Sequence, residues 1–283
     1  MRTLVTGATG RIGSRFVPRL LEQEGEVVVL VRDEARGEPL RRRGAEVVAG
    51  DLRDAATRKR AVDGVDAVVH LAASFRGVPD EEAVEVNRTA TVELARAAVD
   101  AGVGRFVLAS TNLVYGPGRG RPAAEDDPPR PPEAAYPASK AAAEAALQEL
   151  HRSDGLGVRV ARLAFVYGEG DPHLAESLMW ARRWPAHKRL HLVHHADVAQ
   201  GLVRALRAGG VDGGTWNLAD DAPVTAVELH RLNHEPRAED PAEVPPADHD
   251  PWEGIVDTSR ARAELGFRPI YPSVYTARDA GAL

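Results

Sequence analysis

The sequence predicts an α/β protein built on a doubly wound parallel sheet, and three observations support this prediction. Short apolar runs alternate with longer amphipathic stretches, which is typical of strands and helices joined in βαβ units. A glycine-rich segment directly follows the first apolar run. The 283 residues of the chain suffice for one large α/β domain, or for a main domain with a smaller part attached.

The apolar runs are predicted to be the strands of this sheet. They are Thr3–Thr6, Val27–Val31, Val47–Ala49, Ala67–His70, Arg105–Ala109 and Val158–Leu163. The alanine-rich segments Thr89–Asp100 and Ser139–Leu150 are strong helix formers and are predicted to be helices. Proline and glycine crowd Gly116–Pro137, which indicates a long loop before the second of these helices. The acidic, proline-rich stretch Asn233–Glu253 has no periodicity and is predicted to be a surface loop or a partly disordered linker.

The composition excludes several classes of protein. The chain has no cysteine, which excludes a disulfide scaffold, a thiolate metal site and a cysteine nucleophile. Its formal net charge of −6, with arginines scattered among many acids, argues against a nucleic-acid partner. Met1 leads straight into an apolar run without a leader pattern, and no apolar stretch approaches the length of a membrane span. We therefore expect a soluble, cytoplasmic protein with a small-molecule partner and no membrane partner, and we leave a homodimer open.

The glycine-rich segment has the pattern of a phosphate site. Its sequence, Gly7-Ala8-Thr9-Gly10-Arg11-Ile12-Gly13, stands where the first strand turns into a helix. Glycine lets the backbone approach a pyrophosphate closely, and the N–H groups and dipole of the helix end favour an anion. A Rossmann-type nucleotide-binding sheet is the fold that uses this arrangement, although here the spacing is Gly-x-x-Gly-x-x-Gly. The expected cofactor contacts in the loop are Gly7, Thr9, Gly10, Arg11, Ile12 and Gly13.

The end of the second strand bears on which dinucleotide is bound. An acid at this place usually holds the ribose hydroxyls of NAD, but here Val31 is followed by Arg32. A guanidinium suits a 2′-phosphate, so we expect NADP to be preferred to NAD. An ordinary solvated arginine is the alternative. Arg11, beside the glycine loop, is a candidate for a second positive charge.

Ordered motifs along most of the chain resemble one family. Thr6–Gly13 and the Tyr136-Pro137-Ala138-Ser139-Lys140 segment resemble the extended short-chain dehydrogenase/reductase family, in its NAD-dependent epimerase/dehydratase group. The resemblance implies cofactor contacts at Asp51 and Leu52 along the adenine, at Leu71, Ala72 and Ala73 after the fourth strand, and at Phe165 and Val166 beside the nicotinamide. It also implies catalytic roles for Thr111, four residues before Tyr115, and for Asn87. The late segment Val193–Ala199 resembles a further motif of the family.

Tyr136 and Lys140 are the predicted catalytic pair. Four residues apart at the start of a helix, their side chains lie on one face. A cation beside a phenol lowers its pKa from about 10 towards neutrality, which makes tyrosine a usable acid or base. The resemblance implies that Tyr136 exchanges a proton with the substrate oxygen, Thr111 hydrogen-bonds that oxygen, and Lys140 also holds the nicotinamide ribose. Asn87 is implied to steady the lysine through a water. By spacing alone the pair is more often a surface helix pair.

Two other clusters have alternative interpretations. The first is a candidate metal site and comprises His191, His194, His195 and Asp197. Adjacent histidines on a strand point to opposite faces, and the family motif accounts for them, so we expect no metal. The other could meet a substrate diphosphate or be a solvated face, and comprises Arg182, Arg183, Lys188 and Arg189.

These observations predict an NAD(P)-dependent oxidoreductase that transfers hydride between nicotinamide and a ketone or secondary alcohol. The alternatives are a nucleotide-sugar 4-epimerase with retained NAD and a non-catalytic NADP(H)-binding protein. Only 25 residues separate Gly168 from His194, which favours a smaller substrate cleft than that of nucleotide-sugar enzymes. Dehydration ranks last, because Asn112 and Leu113 stand where dehydratases of the family carry acids.

The expected organisation is a Rossmann-type sheet with a small C-terminal substrate-binding part. Residues 1–168 are predicted to form the NAD(P)-binding Rossmann domain. Residues 169–283 are predicted to form mainly the substrate-binding region, with a segment at about 190–218 that returns to the Rossmann domain.

Overall fold

The structure, a computed structural model, describes residues 1–75, 77–236 and 250–283. The predicted linker Asn233–Glu253 therefore falls largely outside the described residues, since 237–249 are not among them. Within the described part of the chain, no helix has the length and apolar character needed to cross a membrane.

The described residues form eleven strands. They are β1 Arg2–Thr6, β2 Glu26–Val31, β3 Glu46–Ala49, β4 Ala67–His70, β5 Arg105–Thr111, β6 Gly157–Leu163, β7 Phe165–Tyr167, β8 Arg189–Leu190, β9 Leu192–His194, β10 Thr215–Leu218 and β11 Val224–Thr225. Seven of them pair in parallel in the order β10-β6-β5-β4-β1-β2-β3. The predicted Rossmann-like parallel sheet is confirmed, and each of the six predicted strands lies in it with ends that differ by at most two residues.

Helices cover the sheet. The α-helices of the described residues are α1 Gly13–Glu24, α2 Glu34–Arg41, α3 Ala55–Val62, α4 Asp80–Val84, α5 Thr91–Asp100, α6 Ala135–Asp154, α7 His173–Glu176, α8 Leu178–Ala181, α9 His195–Arg207, α10 Ala226–Leu232, α11 Ser259–Glu264 and α12 Val274–Asp279. A π-helical segment, Glu85–Ala90, precedes α5, and a 3₁₀ turn, Asn112–Tyr115, follows β5. The predicted loop Gly116–Pro137 ends earlier than expected, because α6 begins at Ala135 and so includes Tyr136 and Pro137 in its first turn. Proline is tolerated there, since the first N–H groups of a helix have no partner within it.

The two faces of the sheet have separate cores. Val29 of β2 packs in the cluster that includes Leu202 of α9, whereas its neighbour Val28 packs in the cluster that includes Leu94 of α5. This alternation follows from the two-residue period of a strand. A third cluster, with Tyr167 and Leu192, belongs to the later part of the chain. The late strand β10 nevertheless pairs with β6 in the main sheet.

A buried ion pair joins α6 to the sheet. Glu144 of α6 contacts Arg162 of β6 at 2.7 Å, and each side chain is only 6% exposed. Ser110 of β5 donates a hydrogen bond to Glu144, and the Arg162 guanidinium lies 4.7 Å from the centre of the Tyr115 ring. The charge of Arg162 is therefore satisfied on several sides, and α6 is tied to both β5 and β6.

We expect this pair to be sensitive to the loss of one partner. Arg162→Met leaves the Glu144 carboxylate buried without its cation, which typically lowers the free energy of unfolding by about 3–5 kcal/mol. The matched control is Arg152→Met, because Arg152 pairs with Glu149 on the solvent side of the same helix. An exposed pair of this kind contributes at most about 1 kcal/mol. Urea unfolding of both variants checks this, and similar losses in the two would contradict it.

Candidate active site

The glycine loop is pressed against the end of β4. Gly7 has φ +68°, and a Cβ on it would lie 2.6 Å from the backbone nitrogen of Ala72. A Cβ on Gly13 would lie 2.2 Å from the carbonyl oxygen of Gly7. Neither position therefore admits a side chain without movement of the backbone. Gly10 donates its N–H to the Gly7 oxygen at 2.9 Å, which closes the turn and leaves α1 to begin at Gly13. This cradle fits the pyrophosphate of a dinucleotide.

His70 holds the loop and its neighbours in place. Its Nδ1 lies 2.7 Å from the Thr6 hydroxyl and its Nε2 lies 2.8 Å from the Thr91 hydroxyl, so β1, β4 and α5 meet at one ring. Burial, together with the nearby charge of Lys140, lowers the pKa of His70 to about 3. The imidazole is therefore neutral. It lies at the end of β4, directly before Leu71, Ala72 and Ala73.

Two arginines stand near the predicted ribose position. Arg32 directly follows β2 and is exposed, as expected from the sequence. Arg36 of α2 donates to the carbonyl oxygen of Thr9 in the glycine loop at 3.2 Å. Asp33 caps α2 by accepting the N–H of Ala35 at 3.0 Å. The sequence reasoning missed Arg36, although its position one helical turn after Arg32 was a usable signal.

Asp51 and Leu52 follow β3, which pairs in parallel with β2, so they lie at the same edge of the sheet as Arg32. Hydrogen bonds from Arg53, the nearer at 2.7 Å, lower the pKa of Asp51 to about 2, and the charge of Arg32 adds to this effect. Leu52 is buried, and its carbonyl oxygen accepts from Arg58. The carboxylate of Asp51 is thus ionised.

Two of the predicted catalytic residues, Lys140 and Thr111, lie at the carboxyl end of β5. Lys140 is buried, and its Nζ donates to the carbonyl oxygen of Ala109 at 2.5 Å. Thr111 lies two residues further along β5, on the same face, and its hydroxyl accepts the N–H of Leu113 at 3.2 Å. Burial lowers the pKa of Lys140 to about 8, although the nearby Glu144 partly opposes this shift. Tyr136 lies one turn before Lys140 on α6.

Asn87 occupies the π-helical segment and is fully buried. Its side-chain oxygen accepts the N–H of Ser74 at 2.8 Å, and its amide donates to the carbonyl oxygen of Ser74 at 2.7 Å. The same amide donates to the hydroxyl of Ser139 at 3.3 Å. Its hydrogen-bond partners are thus Ser74 and Ser139, and the water-mediated contact with Lys140 stays a prediction. A π-helical turn is often found at functional sites, and here it aims Asn87 between the loop after β4 and α6.

An aromatic cluster stands beside Tyr136. The ring of Phe75 meets that of Tyr136 edge-on, with centroids 4.5 Å apart. His173 stacks on Phe165 at 3.9 Å and lies 6.2 Å from Phe75, almost perpendicular to it. The sequence reasoning identified Tyr136 and Phe165 but missed Phe75 and His173. The position of Phe75, two residues after the motif that ends at Ala73, was the available signal.

Comparisons with known proteins identify the family of this chain. A model of the NAD dependent epimerase/dehydratase family matches residues 3–219. The chain belongs to this family.

Relatives in the family carry out different reactions. A 4-hydroxy-2-methyl-3-oxo-4-farnesyl-3,4-dihydroquinoline-1-oxide ketoreductase of Stigmatella aurantiaca is 32% identical, over 79% of this chain and 70% of its own. A UDP-glucose 4-epimerase of Mycolicibacterium smegmatis is 33% identical, over 95% of this chain and 94% of its own. A crystal structure of the dTDP-glucose 4,6-dehydratase of Streptomyces venezuelae, with NAD bound, has a TM-score of 0.78 and 30% identity, covering 99% and 97% of the two chains. The family member described here is an NAD(P)-dependent short-chain dehydrogenase/reductase of the extended type.

Arg11 of the glycine loop has acidic partners. Its guanidinium lies 2.9 Å from Asp171 and 2.9 Å from Glu176, so two carboxylates compete with a phosphate for its charge. This arrangement qualifies the expectation that Arg11 supplies a second positive charge to the cofactor. Burial alone would raise the pKa of Asp171. Hydrogen bonds from His195 and from the backbone of His173, with the charge of Arg11, outweigh burial and lower it to about 2.

The histidine cluster is divided among separate partners. His191 contacts the carbonyl oxygen of Asp220 at 3.0 Å, and His194 contacts that of Ala282 at 2.8 Å. His195 contacts Asp171 at 2.8 Å and begins α9, so it does not continue the strand as the sequence reasoning assumed. The nearby Asp197 accepts the backbone N–H groups of Ile270 and Tyr271.

The basic cluster is partly neutralised. Arg182 lies 2.8 Å from Glu235, and Lys188 lies 2.5 Å from Glu253. Carboxylates this close weaken the attraction for a diphosphate.

The lowered pKa of Lys140 predicts pH-dependent dinucleotide binding. If the ammonium donates to the ribose hydroxyls, binding favours the protonated lysine. Affinity should then be constant below the pKa of about 8 and fall above it by about tenfold per pH unit. Calorimetric titration with NADPH across this range checks the prediction. Lys140→Met should bind weakly without this dependence, whereas the control Lys59→Met, on the exposed side of α3, should retain it. Constant affinity in the wild type would contradict the role of Lys140.

Proposed function

We propose that the protein is an NADPH-dependent reductase of a ketone, with Tyr136 as the proton donor. The observation that carries this proposal is the burial of the Lys140 ammonium at the carboxyl end of β5, one helical turn from Tyr136 and beside the strand that ends in Thr111. A cation at this place stabilises a phenolate and so tunes Tyr136 for proton transfer near neutral pH. The division at residue 168, the cytoplasmic location and a homodimer stay predictions.

Each catalytic side chain has one task in this proposal. A bound nicotinamide dinucleotide supplies hydride to the carbonyl carbon. Tyr136 donates its phenolic proton to the carbonyl oxygen, and Thr111 hydrogen-bonds the same oxygen and holds it in place. Lys140 stabilises the phenolate that Tyr136 forms and binds the nicotinamide ribose. Asn87 fixes the loop that borders Tyr136 through its two hydrogen bonds to Ser74.

Reduction is favoured over the alternatives by charge. Net reductases consume NADPH, and Arg32 together with Arg36 offers two guanidinium groups near the predicted 2′-phosphate position. The basic cluster that would meet a sugar-nucleotide diphosphate is partly neutralised by Glu235 and Glu253. A ketoreductase is among the relatives. Nucleotide-sugar epimerisation is the second candidate, supported by the similarity to the mycobacterial epimerase over 95% of the chain.

The two arginines predict the cofactor preference. Arg32→Ala and Arg36→Ala should each weaken the binding of NADPH by about tenfold to a hundredfold, because a hydrogen bond to a charged group contributes about 1.5–3 kcal/mol. Affinity for NADH should change little. Arg42→Ala, just after α2, is the matched control, because this side chain is 72% exposed and its acidic partner Glu38 is 4.0 Å away. Fluorescence titration with both dinucleotides checks this, and equal losses for NADPH and NADH would exclude the role of the arginines.

The catalytic roles predict separable losses. Tyr136→Phe removes only the acidic hydroxyl, so turnover should fall by about 10²–10⁴-fold while NADPH affinity persists. Thr111→Val should lower turnover in the same manner, because it keeps the shape and deletes one hydrogen bond. Tyr275→Phe is the control, since its hydroxyl donates to Glu228. The assay is ketone-dependent oxidation of NADPH over a panel of aryl and alkyl ketones. Near wild-type turnover in Tyr136→Phe would mean that another group donates the proton.

A further inference from the structure

An apolar ring stands at the proposed proton donor. Phe75 is 40% exposed, and its edge-on contact with Tyr136 brings the two ring centroids to 4.5 Å. A single exposed apolar side chain needs no explanation on most of a protein surface. This one lies against the ring whose hydroxyl we assign to proton transfer, where a substrate must approach.

The backbone immediately before Phe75 is held by hydrogen bonds. The preceding residue, Ser74, donates its N–H to Asn87 and accepts the amide of Asn87 through its carbonyl oxygen. Because Asn87 is fully buried, these bonds anchor the loop immediately before the exposed ring. A ring fixed in this way loses less conformational freedom when it contacts a ligand.

A second ring, that of His173, completes an aromatic corner with Phe75. His173 lies 6.2 Å from Phe75 at an angle of 88°, and its other side stacks on Phe165. Its Nδ1 contacts the carbonyl oxygen of Val166 at 2.9 Å, and its backbone N–H donates to Asp171 at 3.0 Å. The His173 ring is thus held by a hydrogen bond of its own, and the Phe75 ring follows a backbone segment that hydrogen bonds hold. His173, Phe165 and Tyr136 are half-buried.

We propose that the substrate ketone carries an aromatic or other flat apolar group, which packs against the corner formed by Phe75 and His173 while the carbonyl oxygen meets Tyr136. This inference rests on the proposed reductase function and specifies its substrate class. Offset and edge-to-face ring contacts contribute beyond simple burial, and they discriminate a flat ring from a puckered one of the same carbon skeleton.

The test compares two ketones that differ only in the ring. Benzylacetone and its analogue with a fully hydrogenated ring present the same carbonyl, separated from the ring by two methylene groups. We expect the wild type to prefer benzylacetone in kcat/KM by about three- to tenfold, mainly through KM, as the strength of aromatic contacts implies. Phe75→Leu keeps the apolar volume but should abolish the preference, whereas Phe75→Trp should keep it. The control Ile270→Ala, at a side chain that is 56% exposed, should leave the preference unchanged.

The outcomes separate this inference from the function on which it rests. If both ketones are reduced equally well and Phe75→Leu affects them equally, the aromatic substrate class is wrong while the reductase assignment stands. A preference that persists in Phe75→Leu would also overturn the role of this ring. If no ketone is reduced with NADPH but UDP-glucose is epimerised, the proposed function itself is wrong. Circular dichroism and NADPH affinity verify that each variant is folded.

Discussion

The site depends on how α6 packs on β5. A lysine ammonium is expensive to bury, and the fold accepts Lys140 because its Nζ donates to the carbonyl oxygen of Ala109 at 2.5 Å. One turn further along the helix, the pair between Glu144 and Arg162 ties α6 to the sheet through a second set of buried charges. These two contacts set the depth and rotation of the helix, and therefore the place of Tyr136 relative to the strand end at Thr111. A small shift of α6 would separate all of these groups together.

A second constraint comes from the crowding of the glycine loop against β4. The clash that a Cβ on Gly7 would make with Ala72 means that the loop and the segment after β4 can approach only as bare backbone. The neutral ring of His70, between Thr6 and Thr91, keeps this approach in register. The glycine loop and the segment after β4 that leads to Phe75 are consequently packed directly against each other.

Charge links this arrangement to the later part of the chain. Arg11 of the glycine loop contacts Asp171, which is also the partner of His195 at the start of α9. The same aspartate accepts the backbone N–H of His173, whose ring is one of the two in the aromatic corner. Asp171 therefore connects Arg11 of the glycine loop with His173 and His195. His191 and His194 each contact a different backbone carbonyl oxygen, whereas His195 contacts Asp171.

The sequence by itself determined the parallel sheet, the glycine loop and the order of Thr111, Tyr136 and Lys140, because strand periodicity, glycine spacing and motif order are local properties of the chain. Local patterns determine the ends of helices and strands less closely. The helix predicted from Ser139 begins at Ala135, because Pro137 is acceptable in a first helical turn. Only the tertiary structure decided the partners of side chains that are distant along the chain. Arg11 and Asp171 are 160 residues apart. The contact of Phe75 with Tyr136 likewise depends on how packing brings the loop after β4 to the start of α6, which no local pattern encodes.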